Sequence, residues 1–180
     1  MKEAARHDII ETDATIWHLA MNAPPVCAMP ELPGMRFDEL VRPVAVPAYR
    51  EIYAAVGEAW NWLDRIIMSD EELERRINDA DTHIWLMLRG DARAGFAEFV
   101  VRDAETEILY FGLFPDCVGS GLGRSFLRWC IARAWAYGRP RVVLNTCSLD
   151  HPAALPLYRS EGFSLERTER AKRWIRRGQC

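Results

Sequence analysis

A mixed α/β fold, one central sheet covered by helices on both faces, is predicted for this 180-residue chain by three observations. Extended, β-branched and aromatic runs dominate the middle of the chain, and helical runs punctuate them. Two alternating segments joined at Gly90-Asp91 read as an antiparallel hairpin. A strand-like run from Glu107 to Phe114 stops at Pro115, and alternate glycines then lead into an apolar-rich run from Leu122 to Tyr137. With 49% hydrophobic and 27% charged residues the chain suits a single domain over 1–180. Within it, 1–34 hold an N-terminal strand and a Pro-rich connector, and 35–180 hold the core.

The first strand is expected over Ile9 to Met21, where Thr15, Trp17 and Leu19 alternate with Ile16, His18 and Ala20. Pro24, Pro25, Pro30 and Pro33 exclude helix from Asn22 to Gly34 and make it an extended connector. Phe37 to Val46 reads as a strand interrupted by Pro43, hence an edge or a strand with an irregular end. Pro47 then opens a helix whose apolar positions Ile52, Tyr53 and Val56 share a face, and Gly57 stops it. Glu58 to Met68 is less regular and dense in aromatics. Ser69 caps a helix from Asp70 to Asn78, with Glu72 at the third position of a capping box. The hairpin follows, Thr82 to Arg89 and Arg93 to Val101, and Asp103 to Thr106 turns into the strand that ends at Phe114.

Gly138 and Pro140 end the long helix, and Arg141 to Cys147 is the next buried-type strand. The last helix is expected to begin at Asp150 or His151 and to be short or bent at Pro156. Beyond it Arg167, Arg170, Lys172, Arg173, Arg176 and Arg177, interleaved with Glu166 and Glu169, read as a solvated charged face.

The glycine turn carries the chemistry. Val118, Gly119, Ser120, Gly121, Leu122, Gly123 and Arg124 stand at a helix entrance, where backbone N–H groups lack acceptors and the dipole is positive. Such a turn binds anions, and glycine lets the backbone approach them closely. Arg124 in the first turn opposes the dipole, so either a bound phosphate offsets it or it is a solvated surface arginine. A nucleotide-binding loop is disfavoured: G-x-G-x-G lacks the Walker lysine and does not match G-x-G-x-x-G.

Strand, Pro115, Gly119-x-Gly121-x-Gly123, helix, strand, then Leu157-Tyr158 and Gly162-Phe163 together resemble the Gcn5-related N-acetyltransferases. That family's pattern is Q/R-x-x-G-x-G/A followed by N-x-x-A-x-x-L-Y and G-F. Tyr110 to Pro115, Leu144 to Leu157 and Val56 to Arg65 further resemble a bacterial branch of these acetyltransferases. Val118 stands where the family has Gln or Arg, and His151 where it has Asn, while Ala154 falls at its Ala. The pyrophosphate cradle is made of backbone N–H groups and depends on neither side chain.

The resemblance implies a mostly antiparallel mixed sheet with a V-shaped opening between two central parallel strands, those ending at Phe114 and Cys147. It implies acetyl-CoA as cofactor, cradled by the turn and His151 with Ala154, and N–H groups near Leu113 and Phe114 that polarise the thioester. Acetyl transfer to an amine needs a neutral amine, oxyanion stabilisation and a proton for the thiolate. Tyr158 matches the family's proton donor, or else packs the last helix on the sheet. Burial would raise the pKa of either Glu107 or Glu98 and suit it as base, and the resemblance favours Glu107, since many family members carry an acidic residue about there; either may equally face solvent. Tyr53, Trp60, Trp62 and Asp64 line the expected acceptor pocket, or else the aromatics are core.

The expected partner is a small-molecule amine, or a protein, by direct attack in a ternary complex; homodimerisation is left open. A non-catalytic acyl-CoA sensor is the alternative. Net charge of −3 and a pI near 5.8 speak against nucleic-acid binding. Five cysteines without CxxC or Cys/His metal spacing fit a reducing cytoplasm and no metal. No secretory leader or membrane-length apolar run is visible.

Overall fold

The computed structural model describes residues 9–25 and 31–177. Part of the Pro-rich connector, with Pro30 and Cys27, and also Cys180 and the first eight residues lie outside them. In chain order the elements are β1 (Ile9–Met21), β2 (Met35–Glu39), α1 (Val46–Gly57), α2 (Asp64–Ile67), α3 (Asp70–Ile77), β3 (Thr82–Arg89), β4 (Ala92–Val101) and β5 (Thr106–Leu113). Then come α4 (Leu122–Ala136), β6 (Val142–Cys147), α5 (Ala154–Ser160) and β7 (Ser164–Arg176). One seven-stranded sheet has the order β2-β3-β4-β5-β6-β1-β7. Its neighbours are antiparallel except β5 and β6.

Each sheet face has its own core. On one, α4 buries Phe126, Leu127, Trp129, Cys130 and Ile131 against Phe99, Ile108 and Leu144, and Tyr158 and Phe163 close the same layer. On the other, α1 and α3 bury Tyr49, Ile52, Tyr53, Leu73 and Ile77 against Ile84, Leu86 and Phe96. Ser69 caps α3 by accepting the Glu72 N–H at 3.2 Å. No helix among the described residues is long and apolar enough to cross a membrane.

Three elements depart from expectation. β2 stops at Glu39, and Val46 begins α1. Leu40 N–H still reaches Ile84 O at 2.8 Å, but Pro43 has no donor and the Val44 N–H turns to Asn78 Oδ1 at 2.7 Å. α5 starts at Ala154 rather than Asp150, so Pro156 falls in its first turn, where no N–H is needed. The charged tail is a strand: β7 pairs with β1 over nearly its whole length. It is an outer strand with most side chains exposed, so the only apolar anchor its pattern offers is Ile175, 3% exposed.

The opening predicted between β5 and β6 has a definite origin. Their pairing is confined to Thr106, Glu107 and Ile108 against Val142, Val143 and Leu144. Beyond Ile108 the register of β5 on β4 shifts, Glu98 facing Tyr110 and Phe99 facing Ile108, which leaves Leu109 as an extra residue. The bulge turns Ile108 to the α4 core while Tyr110 joins the α1 core. β5 thus leaves β6 where its own face alternation is reset.

Candidate active site

The splay opens a cleft of about 610 Å³ whose lining runs from the glycine turn to the aromatic segment after α1. At one end Gly119 and Gly121 have φ of +79° and +80°, and a Cβ on either would stand in open space. Only glycine adopts such a backbone without strain, so bare main chain faces the cleft. The N–H groups of Gly119, Gly121, Leu122, Gly123 and Arg124 donate to no described residue, leaving the positive end of α4 unsatisfied. Ser120 differs: its N–H and hydroxyl both go to Cys117 O, at 3.3 and 2.6 Å. Arg124 lines the cleft but is already offset by Glu161, and it also donates to Ser160 Oγ at 3.1 Å. The Leu122 side chain packs on the α4 core.

Along the cleft wall, the Phe114 N–H bonds Ala94 O at 3.1 Å and is therefore committed to β4, contrary to its expected role. Antiparallel pairs alternate, so this bond fixes the phase of the ladder and directs the N–H groups of Phe111 and Leu113 to the side β6 has left. Gly112 faces the other way: a Cβ there would meet Val56 Cγ1 at 2.5 Å, so its smallness serves α1 packing. Tyr158, 8% exposed, lines the cleft, and burial pushes its phenol pKa up.

The far end is closed by the strap from Glu58 to Leu63. Trp62 Nε1 donates to Asp150 Oδ1 at 3.3 Å, and the Trp62 ring lies beside Tyr53 and Tyr110, with centroids at 5.6 and 5.2 Å. The Trp60 ring meets that of His151 edge-on at 4.8 Å, while His151 Nδ1 accepts the Ala153 N–H at 3.0 Å. Asn61, in the left-handed region at φ 53°, accepts the Arg176 N–H of β7 at 3.2 Å. Tyr53 is fully buried, and that burial, with Tyr110 and then Asp64 nearby, raises its phenol pKa. The turn, Tyr158, Tyr53, Trp60, Trp62 and Asp64 are thus brought to one cavity, with Val118, His151 and Ala154.

Neither glutamate expected as base joins them. Glu98 shares the face of Phe96, is 0% exposed, accepts from the Tyr49 hydroxyl and binds Arg65 Nη2 at 2.6 Å. With both oxygens occupied behind the wall, it cannot reach an amine in the cleft. Burial raises its pKa against the opposing pull of Arg65. Glu107 binds Arg102 Nη1 at 2.7 Å and borders a separate 220 Å³ hollow with His18, Arg141 and Glu166.

Two lining groups had escaped the sequence reading. Asp150 accepts from Thr146 Oγ1 and Cys147 N–H, both at 2.7 Å, besides Trp62. A short polar residue after a strand could have signalled such a bracket. Arg173 and Trp174 of β7 also line the cleft, and no local signal distinguishes them from the rest of the charged tail.

Compared with known proteins, the sequence matches the model described as the acetyltransferase (GNAT) family over residues 49–163. No curated protein matches it. Among solved structures, a functionally unknown conserved protein from Staphylococcus epidermidis superposes with a TM-score of 0.65 at 14% identity, covering 93% of this chain and 63% of its own. A GCN5-related N-acetyltransferase from Sphaerobacter thermophilus does so with 0.61 at 20% identity, covering 96% of this chain and 55% of its own. A GNAT family acetyltransferase from Elizabethkingia anophelis, solved with acetyl-CoA bound, gives 0.57 at 14%, covering 76% and 80%. At these identities the likeness is one of fold. The chain spans less than two thirds of the first two structures' length.

Proposed function

The chain belongs to the acetyltransferase (GNAT) family, and from that premise we propose that it is an N-acetyltransferase that moves an acetyl group from acetyl-CoA to the primary amine of a small molecule. The observation that carries this reading is the continuity of one cleft, from five unpaired N–H groups at the start of α4, past Tyr158, to an aromatic end with a free carboxylate.

Acetyl-CoA supplies an activated thioester when bound. The N–H groups of Gly119, Gly121, Leu122, Gly123 and Arg124 would hold its pyrophosphate, because the open backbone there fits an anion. Val118 adjoins that stretch and Ala154 lines the same cleft, whereas His151 sits against Trp60 at the far end. The Leu113 N–H, turned from β4, is the donor held ready for the acetyl carbonyl. The Tyr158 phenol stays protonated well past neutral pH and supplies a proton to the leaving sulfur.

On the acceptor side Asp64 has no hydrogen-bond or ion-pair partner among the described residues. Exposed at the mouth of the cleft, it is a counter-ion for the incoming ammonium. Trp60, Trp62 and Tyr53 give the amine's body an apolar wall. A thiol-release assay with acetyl-CoA and a panel of primary amines tests the reading. Turnover on a panel member is expected; acetyl-CoA binding without turnover on any amine would favour the sensor alternative.

A further inference from the structure

We propose that the acceptor is an amino acid with an apolar or aromatic body, its carboxylate bound by Arg173 of β7; this rests on the acetyl-transfer reading of the same cleft. Of the β7 cations without a carboxylate partner among the described residues, Arg170, Arg173 and Arg176, it is Arg173 that lines the cleft. On β7, Arg167 pairs with Glu169, and Lys172 binds Asp13 at 2.9 Å. Arg173 has no carboxylate partner among the described residues, yet it is half-buried and lines the cleft. Its register partner is Thr12, and it shares a face of β7 with the buried Ile175. That face turns it toward the protein, and its charge is felt at the Cys147 thiol at the end of β6.

A half-buried guanidinium without a counter-ion is costly unless an anion visits it, and its planar fork suits a carboxylate. Asp64 enters the same cavity from α2, and no ion pair joins it to Arg173. Among the described residues lining the cavity, exposed Asp64 and half-buried Arg173 have no ion-pair partner, and Trp60, Trp62 and Tyr53 supply apolar lining. A zwitterion with an apolar body satisfies all three features, whereas a simple amine leaves Arg173 unpaired. The pyrophosphate site is not a competing use, because it lies at the glycine turn on β5 and α4.

Matched substrates test this: phenylalanine and tryptophan against 2-phenylethylamine, tryptamine and phenylalaninamide. Thiol release should favour the carboxylate-bearing members by about 10- to 100-fold in kcat/KM, largely through KM. Arg173→Gln should collapse that ratio toward one, Arg173→Lys should restore part of it, and Arg170→Gln on the exposed side of the same strand should preserve it. Equal or reversed preference in the wild type, or an unchanged ratio in Arg173→Gln, overturns the proposal while leaving acetyl transfer standing.

Direct calorimetry of phenylalanine against 2-phenylethylamine, without acetyl-CoA, is the second arm. Tighter binding of phenylalanine that Arg173→Gln abolishes supports the site; no preference for phenylalanine overturns it. Failure of the acetyl-transfer reading shows separately, as absence of acetyl-CoA binding.

Discussion

The indole N–H of Trp62 donates to Asp150 Oδ1 at 3.3 Å, while Asp150 Oδ2 holds Thr146 and the Cys147 N–H at 2.7 Å. One carboxylate thereby joins the strap after α1 to the end of β6, across the cleft that both elements border.

Asp150→Ala should therefore remove three hydrogen bonds at once. Loss of about 1–3 kcal/mol is expected from the donors left behind, read as a lower denaturant midpoint. The acceptor KM should rise with little change in acetyl-CoA affinity; a rise in cofactor Kd alone would contradict the bracket.

Glu98 and Arg65 form a pair buried behind the cleft wall, with Arg65 5.5 Å from the Tyr110 ring centroid. Arg65→Ala strands a buried carboxylate and should cost about 3–5 kcal/mol in chemical unfolding. Glu98→Gln should lower stability but leave the pH profile of kcat unmoved. A lost acidic limb in that variant would restore Glu98 as the base.

Burial raises the phenol pKa values of Tyr49, Tyr53, Tyr110 and Tyr158, that of Tyr110 to about 12. Each phenol holds its proton more tightly folded than unfolded, where it titrates near about 10. This contribution to stability is complete below about pH 10 and is lost as pH climbs from there toward the folded values. Unfolding midpoints measured across pH 8 to about 12 should fall only in the upper part of that range.

Tyr158→Phe removes the hydroxyl from the cleft and keeps the ring packed beside Phe163 and Phe111, at 6.3 and 6.4 Å. Turnover should drop by roughly one to three orders of magnitude, with acetyl-CoA affinity little changed. Equal turnover would reduce Tyr158 to a packing residue.

How much of this was legible in the residues differs by element. β1 and the hairpin declared themselves by alternation and a two-residue turn, and the bare turn before α4 by its alternate glycines. β7 did not, because an outer strand with exposed charged side chains has little apolar periodicity to read. The face of Glu98 was undetermined because Phe96 and Ala97 are both buried, one on each side of the sheet. Arg173 was hidden for another reason: only the pairing of β7 with β1 carries that stretch of tail to the cleft. The bracket at Asp150 joins residues 88 positions apart, beyond any local pattern.

The central claim is that the bare turn at Gly119 to Gly123 binds the pyrophosphate of acetyl-CoA. Calorimetric titration of the wild type and of Gly121→Val with acetyl-CoA tests it most directly. Gly121 has φ +80°, so valine both strains the turn and fills the open space before it. Single-site binding by the wild type, weakened at least about tenfold in a folded variant, equivalent to about 1.4 kcal/mol, is the expected result. No binding by the wild type, or equal affinity in Gly121→Val, would contradict the assignment of this cleft.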